Sequence, residues 1–191
     1  MTSPGPSIRY LPPWRIELSV RPGVPRLVPL AQIARLVDAA LRAAAAPSPA
    51  SVAVILSDDD ELASLNAKVM GKKGPTDVLS FPLLPPGAFP THDGKAGTGA
   101  PARGVPAFAL PPATRPHLGD VVLSVERAVE QAMKGGGGQT GTIEWAPADE
   151  IALLVVHGVL HLCGWDHAEA NEEAAMRRLE MSILASRPRR G

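Results

Sequence analysis

Three of the five histidines fall within one short stretch, His157-Gly-Val-Leu-His161-Leu-Cys-Gly164-Trp-Asp-His167. Residues four apart on an α-helix differ by ~400° of rotation and ~6 Å of rise, so the rings of His157 and His161 leave one face and can share an ion at Zn–N distances of about 2.0–2.1 Å. Gly164 is the residue type that most easily takes the left-handed conformation ending a helix, and a reversal there brings His167 back toward the same ion. Three imidazoles leave a coordination position open. That is a catalytic pattern, since structural zinc usually takes four protein ligands rich in cysteine. One zinc per chain is the expected cofactor, although copper, nickel and iron also accept imidazole.

A lone His-x-x-x-His reads equally well as two core histidines satisfied by hydrogen bonds; Gly164 and His167 tip the balance toward metal. The ligand spacing matches that of metzincin peptidases, but Gly158 stands where those enzymes carry their general-base glutamate, which argues against a peptidase. Asp166 either bonds a ligand imidazole and fixes its tautomer or stabilises the turn. Cys163, two positions after His161, points from a different face and reads as core.

The elements that position these groups follow from periodicity. Ile16, Leu18 and Val20 alternate with polar residues over Arg15 to Val20, a strand with one covered face. Ile33, Leu36, Val37, Ala40 and Leu41 recur at three and four residues and mark an amphipathic helix. Ser51 to Leu56 is a β-branched strand feeding a helix capped by Ser57 to Asp60 and running to about Ala67. Thr76 to Leu83 and Leu118 to Ser124 read as further strands, and Val125 to Lys134, Ala148 to Leu162 and Glu169 to Ser186 as helices. Residues 1–13 are expected as a disordered tail, 14–186 as the single domain and 187–191 as a second tail. A Pro/Gly-rich stretch at about 83–116 shows no period and is expected as a mobile insertion. Gly135 to Gly141 reads as a flexible link and not a phosphate cradle, because it follows a helix and lacks the Lys-Ser/Thr ending of a P-loop.

Composition narrows the class further. A length of 191 residues suits one domain, and 21 prolines with 18 glycines must concentrate in loops. Nineteen basic and 19 acidic side chains cancel, so any nucleic-acid binding must come from a local patch. The longest apolar stretch, Ile151 to Cys163, is too short for a membrane helix, which requires ~20 residues. The start lacks an apolar signal region, and the single cysteine fits a reducing compartment, so the expected location is the cytoplasm, with no membrane partner.

The histidine segment resembles the signature of the YbeY-type endoribonucleases, with Cys163 and Trp165 where the family more often has Leu and Tyr. Leu65-Asn66 with Pro75-Thr-Asp-Val-Leu-Ser-Phe-Pro82 is similar to the family's second motif, Leu118-Gly-Asp-Val-Val-Leu-Ser124 to its third, and Glu172 to Glu180 to its acidic C-terminal helix. The likeness covers roughly residues 15–186 outside the two interruptions. It implies an α/β (α+β) fold, a small mixed sheet of about four strands packed with about five helices. It also implies zinc-dependent cleavage of single-stranded RNA in the 3′ maturation of small-subunit ribosomal RNA and in ribosome quality control. The partners implied are therefore ribosomal RNA and the small subunit; DNA is not expected.

Val69 and Met70 occupy the positions where the family usually has Tyr-Arg, so the arginine that would touch an RNA phosphate is missing. Lys72 and Lys73 either take over as catalytic point charges without the bidentate fork of arginine or, as the residues read without the family resemblance, are two solvated loop lysines. Thr76, Asp77 and Ser80 either face the site or brace it, and Asp77 and Asp120 also read as turn or strand-end residues. Two other functions fit the sequence: a metallohydrolase of another substrate, and a non-catalytic ribosome-assembly factor that uses zinc to fold.

Overall fold

The computed structural model describes residues 5–90, 92, 115–135 and 145–186. Its elements are β1 (Ser7–Leu11), β2 (Trp14–Val20), α1 (Leu30–Ala43), β3 (Ala50–Ser57), α2 (Asp59–Leu65) with a π-helical turn (Asn66–Met70), β4 (Val78–Pro82), a 3-10 turn (Pro86–Ala88), β5 (His117–Ser124), α3 (Val125–Met133), α4 (Pro147–Leu162) and α5 (Ala170–Ala185). The strands form one mixed sheet in the order β1-β2-β3-β5-β4. β2, β3 and β5 run parallel, while β1 and β4 close the two edges antiparallel to their neighbours. The expected α/β domain is therefore present, with five strands where about four were read.

The added strand lies in the expected tail. Ser7–Leu11 pairs with β2 from Ser7 opposite Leu18 to Leu11 opposite Trp14. Its side chains are mostly exposed on both faces, so no hydrophobic alternation announces it. Backbone pairing orders it instead. Arg42 donates to Pro12 O at 2.6 Å and Arg115 to Pro13 O at 3.2 Å, fastening the connection to β2.

Elsewhere the patterns translate directly. In β2 the buried Trp14, Ile16 and Leu18 alternate with half-exposed Arg15 and Glu17. α1 buries Ile33, Leu36, Val37, Ala40 and Leu41, the set its periodicity marked. Asp58 caps α2 by accepting from Glu61 N–H at 2.9 Å, and Ser124 caps α3 by accepting from Arg127 N–H at 3.1 Å. The helix read through about Ala67 instead widens into the π-helical turn, which closes at Gly71 with φ of 64°.

α4 is the centre of the molecule. Most of its residues are buried, and it packs against α1, α3, α5, β4 and β5. This explains why its pattern is almost uniformly apolar rather than amphipathic. Among the described residues, no helix is long and apolar enough to cross a membrane. Of the stretch expected as mobile, residue 91 and residues 93–114 lie outside the described residues, as do 136–144, which include all of the glycine-rich link after Gly135, and the tail 187–191. The described start of the stretch is anchored. Leu83 N–H donates to Leu118 O at 3.0 Å, Phe89 is buried in the core, and the His92 ring stacks on Trp165 with centroids 3.9 Å apart.

Candidate metal centre

α4 delivers the first two histidines and its C-terminus delivers the third. The helix ends in a Schellman motif: Trp165 N–H reaches Leu160 O at 3.1 Å and Gly164 N–H reaches His161 O at 3.0 Å, with Gly164 left-handed at φ 82°. The chain turns back there, as the spacing required. His157 Nε2 and His161 Nε2 stand 3.0 Å apart, and the ring centroid of His167 lies 5.4 and 5.0 Å from those of His157 and His161.

One candidate ligand atom from each histidine falls within 4.8 Å of the other two. Around a tetrahedral ion with bonds of ~2.05 Å, neighbouring ligand atoms are about 3.3 Å apart, so the three rings fit a single ion with slight adjustment of the exposed His167. Burial, followed by the charges of His157 and His167, pushes the His161 imidazole down to about 4. It is therefore neutral near pH 7, the form that offers a lone pair to a metal.

The other nitrogens are occupied by the protein. His161 Nδ1 lies 2.9 Å from Trp165 O, and His157 Nδ1 lies 2.7 Å from Glu180 Oε1 on α5. Each bond turns the corresponding Nε2 toward the shared point. Asp166, one candidate for that orienting part, instead accepts the backbone N–H of His167 at 2.8 Å. It stabilises the turn. Sequence spacing did not reveal Glu180, because it reaches His157 only across the α4–α5 contact. The available signal was an acid on the buried stripe of α5, flanked by Met176 and Ile183.

Gly158 explains the departure from peptidase chemistry. A Cβ there would stand 2.6 Å from Val121 Cγ1, 3.2 Å from Val78 Cγ2 and 3.3 Å from Ser80 Oγ. A side chain there would force α4 and the sheet apart, which argues against a general base at position 158. Ser80 Oγ–H donates to Gly158 O at 2.9 Å and thereby braces α4 on β4. Cys163 is fully buried, and burial pushes its thiol up to about 12, so it is a core residue rather than a thiolate ligand.

Asp77 and the lysines complete the surroundings. A cavity of about 240 Å³ opens beside His157 and His167, and Asp77, Gln131, Leu154 and Met176 line it. Asp77 accepts from Val78 N–H at 2.8 Å, Thr76 Oγ1–H at 3.1 Å and Gln131 Nε2–H at 2.9 Å, so it both braces β4 and borders the cavity. Lys72 and Lys73 are exposed on the loop between the π-helical turn and β4, with no side-chain hydrogen bond or ion pair among the described residues. Buried Asn66 holds that loop, donating from Nδ2 to Gly74 O at 2.9 Å. Met70 is exposed beside it. Asp120 bonds His117 Nε2 at 2.8 Å, outside the histidine cluster.

Comparison with known proteins places the chain in a family. Residues 28–187 match the family model described as Endoribonuclease YbeY. Among curated relatives, the Endoribonuclease YbeY of Salinispora tropica is 43% identical over 137 residues, 72% of this chain and 74% of the relative. That of Thermobifida fusca is 37% identical over 158 residues, covering 82% of both chains. That of a Roseiflexus species is 34% identical over 170 residues, 88% of this chain and 90% of the relative.

Proposed function

The chain belongs to the YbeY endoribonuclease family, and we propose that it is a zinc-dependent endoribonuclease cleaving single-stranded ribosomal RNA during small-subunit maturation and quality control. The observation that carries this reading is the convergence of His157, His161 and His167 at the C-terminal end of α4, with one ring exposed. Zinc held there supplies a Lewis acid that acidifies water and offsets charge on a phosphoryl oxygen. His157 and His161 bind from the protein side, while exposed His167 borders the approach of substrate. Lys72 and Lys73 hold the RNA backbone as point charges where the family arginine is replaced by Met70. Asp166 fixes the turn that presents His167, and so acts on catalysis through position. The protein works in the cytoplasm, on the small subunit and its RNA.

Incubation with a single-stranded ribosomal RNA fragment, and with the same fragment annealed to its complement, tests this. Cleavage of the single strand alone, lost on chelation and in His157→Ala, is the expected result. Cleavage of DNA or peptides with intact RNA would overturn it.

Met70 favours a second reading, a zinc-containing assembly factor without nuclease activity. On that reading the RNA stays intact, His157→Ala lowers the melting temperature, and Met70→Arg creates cleavage.

A further inference from the structure

Burying a carboxylate is costly unless its oxygens find partners. Three acids of the described residues are buried, Glu150, Glu172 and Glu180. Glu150 receives the indole N–H of Trp145, and Glu172 accepts the backbone N–H of Glu169 at the start of α5. Glu180 is different, because its Oε1 meets the Nδ1 of a candidate metal ligand at 2.7 Å, with its side chain 9% exposed. α5 is thus part of the centre and not only a covering layer.

We propose that Glu180 is the positioning residue of the metal centre. Taking the Nδ1–H of His157, it holds the ring in the tautomer whose Nε2 lone pair faces His161 Nε2, 3.0 Å away. Its negative charge makes the imidazole a stronger donor and offsets part of the charge of a divalent cation. The carbonyl of Trp165 orients His161 in the same way, but it belongs to the main chain. Glu180 is therefore the point at which a side-chain substitution separates ring orientation from ligand identity. Glu180 acts on the centre through His157, and it also lines the cavity beside that ring. This inference rests on the three histidines being a metal site.

The full-length protein, stripped by a chelator, is titrated with Zn²⁺ against a chromophoric competitor and with Co²⁺ by its visible absorption. Glu180→Gln keeps an acceptor for the Nδ1 proton and loses the charge, while Glu180→Ala loses both. Glu172→Gln, a buried acid on the same helix that caps rather than orients, is the control. Zinc affinity falls by about 10–100-fold in Glu180→Ala, and by less in Glu180→Gln. It stays at the wild-type value in Glu172→Gln. The Co²⁺ bands shift in Glu180→Ala, a change that loss of general stability does not produce.

Wild-type zinc affinity and unshifted Co²⁺ bands in folded Glu180 variants would overturn the inference. If Glu180→Ala does not fold, Glu180→Gln decides: wild-type affinity overturns the inference and weakened binding in a folded protein supports it. If the wild type itself binds neither ion, the metal reading of the histidines falls and this inference with it, a result distinct from selective failure of the Glu180 variants.

Discussion

Gly158→Ala sets two forces against each other whose balance follows from the structure. In a helix interior, alanine is favoured over glycine by about 1 kcal/mol. Here the new methyl meets Val121 Cγ1 at 2.6 Å, on a valine that is itself fully buried. Ordinary carbon contacts lie near 3.5–4.0 Å, so α4 and β5 must separate by about 1 Å. Overpacking of this kind costs about 1–3 kcal/mol, and with a β-branched neighbour in the core the upper part of that range applies. The net loss is about 1–2 kcal/mol, a fall in melting temperature of roughly 3–6 °C for a chain this long.

Because His157 is the preceding residue, zinc affinity falls together with stability. Thermal unfolding followed by circular dichroism gives the first quantity and competition with a chromophoric chelator the second. Pairing Gly158→Ala with Val121→Ala makes room for the methyl, and the double-mutant cycle then shows favourable coupling. A Gly158→Ala protein more stable than the parent, or two changes that simply add, would refute the idea that close approach of α4 to β5 is what requires glycine.

Other consequences follow from single groups. Lys72→Ala with Lys73→Ala weakens RNA binding uniformly across sequences and reduces the salt-dependence slope by about 1–2, as measured by filter binding at several ionic strengths. The Cys163 thiol, pushed up by burial to about 12, does not react with a disulfide reagent in the native protein and reacts once the protein is unfolded in guanidinium. The Arg21 guanidinium, bonded to Glu61 through two contacts of 2.7 Å, holds that carboxyl below its ordinary value of 4.5. The pair's contribution is therefore present above pH 4.5 and lost as the pH falls through the lowered value. With both side chains partly exposed it amounts to about 0.5 kcal/mol, so urea titrations of Glu61→Gln differ from the parent at pH 7 and converge once the pH has fallen below the lowered value.

The readable parts of this protein were those in which one element carries its own evidence. The alternation of β2, the periodic stripe of α1 and the spacing of His157 and His161 each depend on local geometry, and the structure reproduces them. Gly164 was legible for the same reason, since a left-handed helix end has a residue preference. β1 was hidden because its order comes from hydrogen bonds to β2 and leaves no hydrophobic period. Glu180 and the role of Gly158 were hidden because each acts across a tertiary contact, between α5 and α4 in one case and between α4 and the sheet in the other. Asp166 shows the same limit from the other side: local sequence allowed two bonds, and only the fold selects the backbone N–H of His167.

Elemental analysis of the protein purified without an affinity histidine tag, alongside His161→Ala, decides whether the histidines do the chemistry assigned to them. About one zinc per wild-type chain is expected, with that metal lost in the variant and RNA cleavage disappearing in parallel. A folded wild-type protein that retains no metal, and takes up none from a zinc solution, would contradict the metal-centre reading.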